Sequence, residues 1–168
     1  MPQAGMGHQR YHLELGADQP TPPSEPWPAA VSLRREEAPA PELCRLLYRE
    51  VGEGYAWVDR SNWTDAQWAE YVAQPELTFW VLRAHDDPAG YFELKRDPDG
   101  QGVEIAYFGL RPGYVGRGLG SRLLAAAVRE ARALGPLRVW LHTCTKDHPH
   151  ALPNYQARGF RVFRVEDI

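Results

Sequence analysis

Three glycines fall within five residues in Gly116-Arg117-Gly118-Leu119-Gly120-Ser121, between a run that reads as a strand and one that reads as a helix. The first turn of a helix carries backbone N–H groups without internal partners, and with them the positive end of the helix dipole. Glycine lets an anion approach such groups closely, so the segment suits a diphosphate held with little help from side chains. Arg117 and Arg122 add positive charge beside it. The alternative is a bare tight turn, in which three glycines at a helix start would destabilise without compensation. The spacing is not Gly-x-Gly-x-x-Gly, which argues against a dinucleotide-binding fold, and no Lys-Ser or Lys-Thr follows, which argues against a P-loop.

His142, Cys144, His148 and His150 form a second cluster, within nine positions. Two ligands on alternate strand positions and two in a loop can hold zinc. The spacing matches no familiar zinc pattern, however, and no metal is expected. Cys144 as an acyl-carrying nucleophile would need a thiolate-favouring neighbour, and none is identifiable. His142 reads better as a strand histidine making a structural hydrogen bond. Trp57, Trp63 and Trp68 gather around two early helices, as core aromatics or as an aromatic pocket, with the core reading favoured.

These residues need elements to position them. Gly102 to Leu110 reads as a central strand, with Val103, Ile105 and Tyr107 on one face and Glu104, Ala106 and Phe108 on the other. The clearest helix runs from about Arg117 to Leu134. Leu119, Leu123, Ala127 and Ala131 step along its apolar face, Arg122, Arg129 and Arg132 lie towards the other, and Gly135-Pro136 stops it. A strand over Leu137 to Thr143, a short helix over Ala151 to Arg158 and a strand over Phe160 to Val165 complete the C-terminal part. Upstream, Val31 to Arg34 alternates as a strand, and a helix follows from Pro41 to Val51. Thr64-Asp65-Ala66-Gln67 has capping-box spacing for a second helix. Strands at Phe79 to Arg83 and Gly90 to Leu94 flank the turn residues Asp86, Asp87 and Pro88, and Asp97-Pro98-Asp99-Gly100 makes the next hairpin turn. A meander of strands followed by alternation with helices predicts a mixed α/β or α+β sheet.

Before residue 31 the composition changes. Pro20, Pro22, Pro23, Pro26 and Pro28 remove backbone donors and fix φ. Residues 1–30 are therefore expected to be a Pro-rich extension, a mobile arm in preference to one that docks on the domain, with a short strand possible over Tyr11 to Leu15, and residues 31–168 to be the domain. At 168 residues the chain suits one domain with a real core. A formal net charge of −3 argues against nucleic acid as partner and suits a cationic acceptor. Two cysteines, Cys44 and Cys144, give no disulfide framework. No signal-peptide pattern opens the chain and no apolar run is long enough to span a membrane. The expected location is the cytoplasm. The oligomeric state is open, with a homodimer allowed.

The glycine turn resembles the acetyl-coenzyme A site of the GNAT N-acetyltransferase superfamily. The family's Gln/Arg-x-x-Gly-x-Gly/Ala reads here as Val115-Gly116-Arg117-Gly118-Leu119-Gly120, with Val115 departing at the first position. Phe108-Gly109-Leu110-Arg111-Pro112-Gly113-Tyr114 is similar to the family's strand end and proline turn. Tyr155-Gln156-Ala157-Arg158-Gly159-Phe160 matches its Tyr-x-x-x-Gly-Phe, and Ala151 falls where it prefers alanine. The usual asparagine seven residues before the tyrosine is His148 here. The resemblance covers residues 31–168 and implies a mixed, mostly antiparallel central sheet flanked by helices.

It also implies a reaction, transfer of acetyl from acetyl-CoA to a primary amine of a small molecule or protein by direct attack on the thioester. Residues 115–121 (Val115, Gly116, Arg117, Gly118, Leu119, Gly120 and Ser121) are implied to hold the coenzyme's pyrophosphate, and His148 to contact its pantetheine arm. A backbone N–H near Leu110, where the family's strand bulges open, would stabilise the oxyanion. Tyr155 is implied to protonate the departing thiolate. Glu104 is the candidate base, since burial on the central strand would raise its pKa, and Glu93 on the preceding strand is its rival. The alternative function is an acyl-CoA-binding sensor or regulatory domain without turnover.

Overall fold

A seven-stranded sheet organises the chain in the computed structural model, which describes residues 7–55, 57–147 and 149–168. The strands are β1 (Gln9–Gly16), β2 (Val31–Glu36), β3 (Leu77–Ala84), β4 (Asp87–Arg96), β5 (Gly102–Leu110), β6 (Arg138–Cys144) and β7 (Arg161–Asp167). Their order across the sheet is β2-β3-β4-β5-β6-β1-β7. Every neighbouring pair is antiparallel except β5 and β6, which are parallel because a helix connects them. The helices are α1 (Pro41–Gly52), α2 (Asp65–Val72), α3 (Leu119–Ala133) and α4 (Ala151–Ala157). The mixed, mostly antiparallel sheet expected from the sequence is present.

Local chemistry explains most of these elements. Pro41 sits in the first turn of α1, where its missing N–H is harmless. Thr64 and Gln67 form the reciprocal capping box that opens α2. Gly118, at φ 75°, is the N-cap of α3, which begins at Leu119, two residues later than the periodicity suggested. The β3–β4 turn falls on His85 and Asp86, at φ 49° and 67°, so Asp87 and Pro88 belong to β4 and not to the turn. Positive φ at both positions matches the twist of a tight hairpin, and Asp and His are among the side chains that tolerate it.

The two faces of the sheet carry separate cores. On one, Leu13, Leu15, Val103, Ile105, Val139 and Leu141 pack with Leu119, Leu123, Leu124 and Ala127 of α3, and Tyr155 of α4 packs at the margin. On the other, Cys44, Leu47, Tyr48 and Val51 of α1 and Trp68 of α2 cover Phe79, Val81 and Tyr91. The second core stops at Tyr107 on β5. The part of that face formed by β6, β1 and β7 therefore lacks the α1–α2 layer.

Two expectations are corrected. The face assignment along β5 fails after Ile105. Leu94 pairs with Ile105 but Glu93 pairs with Tyr107, so Ala106 is an extra residue in the ladder. This bulge turns Tyr107 towards α1 and Phe108 towards the α3 core. The bulge therefore lies at Ala106 and not near Leu110. The second correction concerns the segment before residue 31. Strand β1 is internal to the sheet, antiparallel to both β6 and β7, with Leu13 and Leu15 fully buried. The prolines that follow run along α3, so the arm is the docked one and not the mobile one. Arg122 donates to the Pro26 carbonyl at 2.9 Å, Arg129 to Ser24 Oγ at 3.3 Å, and Arg132 to Thr21 Oγ1 and the Gly16 carbonyl, each at 2.7 Å. The polar stripe of α3 is thus an anchoring surface for the arm.

Candidate active site

Strands β5 and β6 are paired only at Gly102–Glu104 and Arg138–Trp140. Beyond that point β5 stays with β4 and β6 stays with β1, so the sheet splays into a wedge. From Ile105 to Leu110 the edge of β5 that faces β6 has no ladder partner among the described residues. Unpaired backbone amides of this kind can take an extended polar ligand as a strand would be taken. Glu104 stands at the apex of the wedge, and the chain leaving its mouth becomes the glycine turn.

That turn is solvent-open. Residues 115–118 are exposed, and no side chain caps the start of α3. Gly116, at φ 86°, has nothing within 4 Å of where a Cβ would stand, and Gly118 combines φ 75° with Arg122 Nη1 at 2.9 Å from such a Cβ. The bare first-turn amides and the room above them fit a coenzyme pyrophosphate. Arg117 stacks over the Tyr114 ring at 5.4 Å. Arg122 is already engaged, by the Gly118 carbonyl at 2.8 Å and Glu25 at 2.9 Å. A pocket of about 120 Å³ lies alongside, lined by Pro23, Glu25, Ser121, Arg122 and Arg158. A larger depression of about 510 Å³ is lined by Glu50, Asp87, Arg111, Tyr114 and Arg117. Its Arg111 is matched by Glu50 at 3.0 Å and Asp87 at 3.2 Å, so that surface is self-neutralised and poorly suited to an anion.

Glu104 points to the face opposite α3, by alternation with Val103 and Ile105. Its carboxyl is pushed up to about 7, first by burial and then by Asp97. Lys95 and Arg60 oppose the shift and Glu93 adds to it. His142 lies 3.7 Å away, on the same face of β6. Its imidazole is held below its ordinary range by desolvation, with Arg10 and His12 contributing, although 39% of its side chain remains exposed.

Glu93 has a different environment. It is fully buried and receives both guanidinium nitrogens of Arg60, at 2.9 and 3.3 Å, and the Tyr71 hydroxyl at 2.6 Å. Arg60 is surrounded by the rings of Tyr48, Trp63, Trp68, Tyr71 and Tyr107, all within 6.0 Å. Trp57 packs edge-on against Tyr107 at 5.0 Å. The early tryptophans are therefore core aromatics that also cage a cation contributed by the chain itself. Both oxygens of Glu93 are committed, which leaves Glu104 as the carboxylate with free capacity at the wedge. Nothing local signals the Arg60–Glu93 pair, since its members are 33 positions apart and Arg60 lies in a loop.

Tyr155, on α4, is half-buried against the α3 core and meets Phe160 edge-on at 6.0 Å. Burial, with Asp147 nearby, holds its hydroxyl well above the ordinary phenol range, so it keeps its proton at neutral pH. Leu110 packs at the margin of the same core, and its Cδ1 lies 3.8 Å from where a Gly120 Cβ would stand. His148 lies outside the described residues. Among the described residues no three His, Cys, Asp or Glu side chains converge as a metal-binding set. Burial pushes the Cys44 thiol up to about 12, an inert state. No helix of the described residues is long and apolar enough to cross a membrane.

The family described as Acetyltransferase (GNAT) family matches residues 28–160. An uncharacterized N-acetyltransferase of Mycobacterium tuberculosis is 31% identical over 109 residues, which cover 62% of this chain and 69% of that protein. Its Mycobacterium bovis counterpart matches to the same extent. Among solved structures, a GCN5-related N-acetyltransferase from Sphaerobacter thermophilus has a TM-score of 0.68 at 21% identity, covering 95% of this chain and 50% of that one. The chain thus spans about half the length of that protein. A PaiA N-acetyltransferase from Thermoplasma acidophilum, solved in complex with coenzyme A, has a TM-score of 0.65 at 19% identity, covering 79% of this chain and 91% of that one. At these identities the structural matches show a shared fold.

Proposed function

The chain belongs to the acetyltransferase (GNAT) family, and from that premise we propose that it transfers acetyl from acetyl-CoA to a primary amine of a small molecule or protein. The observation that carries the reading is the continuity of wedge and turn. Unpaired β5 amides begin beside Glu104, and the chain passes from them directly to the uncapped start of α3. One ligand with an extended polar arm and a diphosphate suits both features. The thioester supplies the activated acetyl group.

The chain's own residues then have separable tasks. Backbone amides of residues 116–121 hold the diphosphate, with Val115 and Leu110 shaping the approach. Glu104 takes a proton from the acceptor ammonium, and a carboxyl displaced to about 7 is matched to that task near neutral pH. The amine nitrogen forms its bond to the acetyl carbon by direct attack, and Tyr155 delivers a proton to the sulfur that leaves. Calorimetry with acetyl-CoA, followed by thiol release with a panel of amines, tests this. Binding with turnover of at least one amine is expected. Binding without turnover across the panel would favour a sensor, and no binding would end the acetyltransferase reading.

A further inference from the structure

Four titratable side chains outside the coenzyme motif line up across the open face of the sheet, one from each of β5, β6, β1 and β7. Glu104 Oε2 lies 3.7 Å from His142 Nε2. His142 and His12 are direct register partners on β6 and β1, with ring centroids 5.7 Å apart. His12 Nε2 lies 2.8 Å from Glu166 Oε1 on β7. We propose that Glu104 and His142 form a relay that carries the acceptor's proton from the wedge apex to solvent, with His12 and Glu166 continuing the line as its polar surroundings. The N-terminal strand β1 would then border the reaction apparatus as well as complete the sheet. This rests on the reading of Glu104 as base. His142 acts through Glu104 and is a positioning residue.

The relay answers a problem of access. Glu104 is only 18% exposed in its side chain, and an acceptor bound over it would close its route to water. The proton accounting is complete. The ammonium gives one proton to the Glu104 carboxylate, which passes it to His142 Nε2 and regains its charge. His142, whose side chain is 39% exposed, releases it to water. The nitrogen's second proton goes to the leaving sulfur as the N–C bond forms and the C–S bond breaks. One proton per turnover reaches solvent.

The surrounding charges support this direction. Glu104 faces Asp97, Lys95, Glu93 and Arg60, and its carboxyl sits at about 7. His142 faces Arg10, His12, Asp147 and Glu166, and desolvation leads the lowering of its pKa. Burial thus moves both groups towards their neutral forms, and a proton that leaves Glu104 for His142 restores the carboxylate. Glu166 is held below its ordinary range by its His12 hydrogen bond, with Arg164 and Arg10 assisting, so it stays charged. A static ion pair between His12 and Glu166 would explain that contact alone, but not why His142 and Glu104 continue the line.

NMR titration of the histidine side chains in the full chain, without ligand, tests the relay. His142 should show its own inflection and a second one near pH 7 from Glu104. E104Q should abolish the second, and H12Q should move the first upward by removing a neighbouring positive charge. A single His142 inflection, indifferent to E104Q, overturns the relay. Turnover gives an independent arm, with putrescine, lysine and glucosamine as probes. H142Q should lose at least about fivefold in kcat at pH 7 and regain part of it with added imidazole. An inactive E104Q beside an H142Q of full rate and unchanged pH profile removes the relay but keeps Glu104. An E104Q as active as the parent removes the base assignment, and the relay with it.

Discussion

Replacing Glu104 with glutamine should make the protein more stable above neutral pH and leave it nearly unchanged in acid. The carboxyl moves from an ordinary 4.5 when unfolded to about 7 when folded, chiefly through burial. At roughly 1.4 kcal/mol per pH unit, that displacement corresponds to about 3 kcal/mol. The sign follows from proton counting. Between pH 4.5 and about 7 the folded state holds more protons than the unfolded state at this group, so its contribution falls as pH rises. The favourable part is present below the unfolded pKa and is lost through the folded one. Glutamine keeps the size and polarity of the side chain but cannot ionise. Urea unfolding of both proteins at pH 5, 6, 7 and 8 should show E104Q gaining steadily, to about 2–3 kcal/mol at pH 8. In melting temperature this is roughly 4–12 °C. A stability difference that stays flat from pH 5 to 8 would refute the displaced carboxyl, and with it the physical basis for a base at the apex of the wedge.

Three other substitutions probe separate parts of the site. R60M removes the only side-chain cation on Glu93 among the described residues and leaves a fully buried carboxylate, so a loss of about 3–5 kcal/mol is expected. Chemical denaturation checks this, R60M/E93Q should recover part of the loss, and a loss below about 1 kcal/mol would show that the cage is loosely built. G118V places a branched side chain at φ 75°, with its Cβ 2.9 Å from Arg122 Nη1, and should abolish acetyl-CoA binding by calorimetry. Full-strength binding there would contradict a backbone cradle. Y155F should lower turnover at least about tenfold while coenzyme affinity holds, and an unchanged rate would release Tyr155 from proton donation.

What was legible in the sequence was local. The Thr64–Gln67 box, the glycine turn and the leucine stripe of α3 are each decided by residues within a few positions of one another. What was hidden depended on distant partners. The bulge at Ala106 exists because β5 must match β4, and nothing within Val103–Phe108 announces it. Without it Tyr107 would turn away from the Arg60 cage. The prolines of the N-terminal arm point to an extended segment, whereas its position is set by β1, with Leu13 and Leu15, filling a slot between β6 and β7. Composition reports what a segment cannot do alone, and this segment is not alone. The surroundings of the proposed relay were hidden for the same reason, because His12 and His142 become neighbours only when β1 enters the sheet.

The arm also bears on how the anion would be held. Arg122 is the motif-adjacent cation best placed to assist, yet it donates to the Gly118 and Pro26 carbonyls and pairs with Glu25. Glu25 is largely exposed, so this pair contributes little to stability, but it offsets much of the local positive charge. Val115, where the family favours a long polar side chain, removes a second donor. Arg117 remains, lying over Tyr114. With side-chain help reduced at two positions, the grip on a diphosphate falls to the amides at the start of α3. These are fixed dipoles that cannot be displaced by rotation of a side chain. This makes the conformation of Gly116 and Gly118, both at positive φ, the condition on which the site depends. It also gives the arm a mechanical role. By anchoring Arg122, Arg129 and Arg132 along one side of α3, it holds the helix whose first turn is proposed to bind the diphosphate.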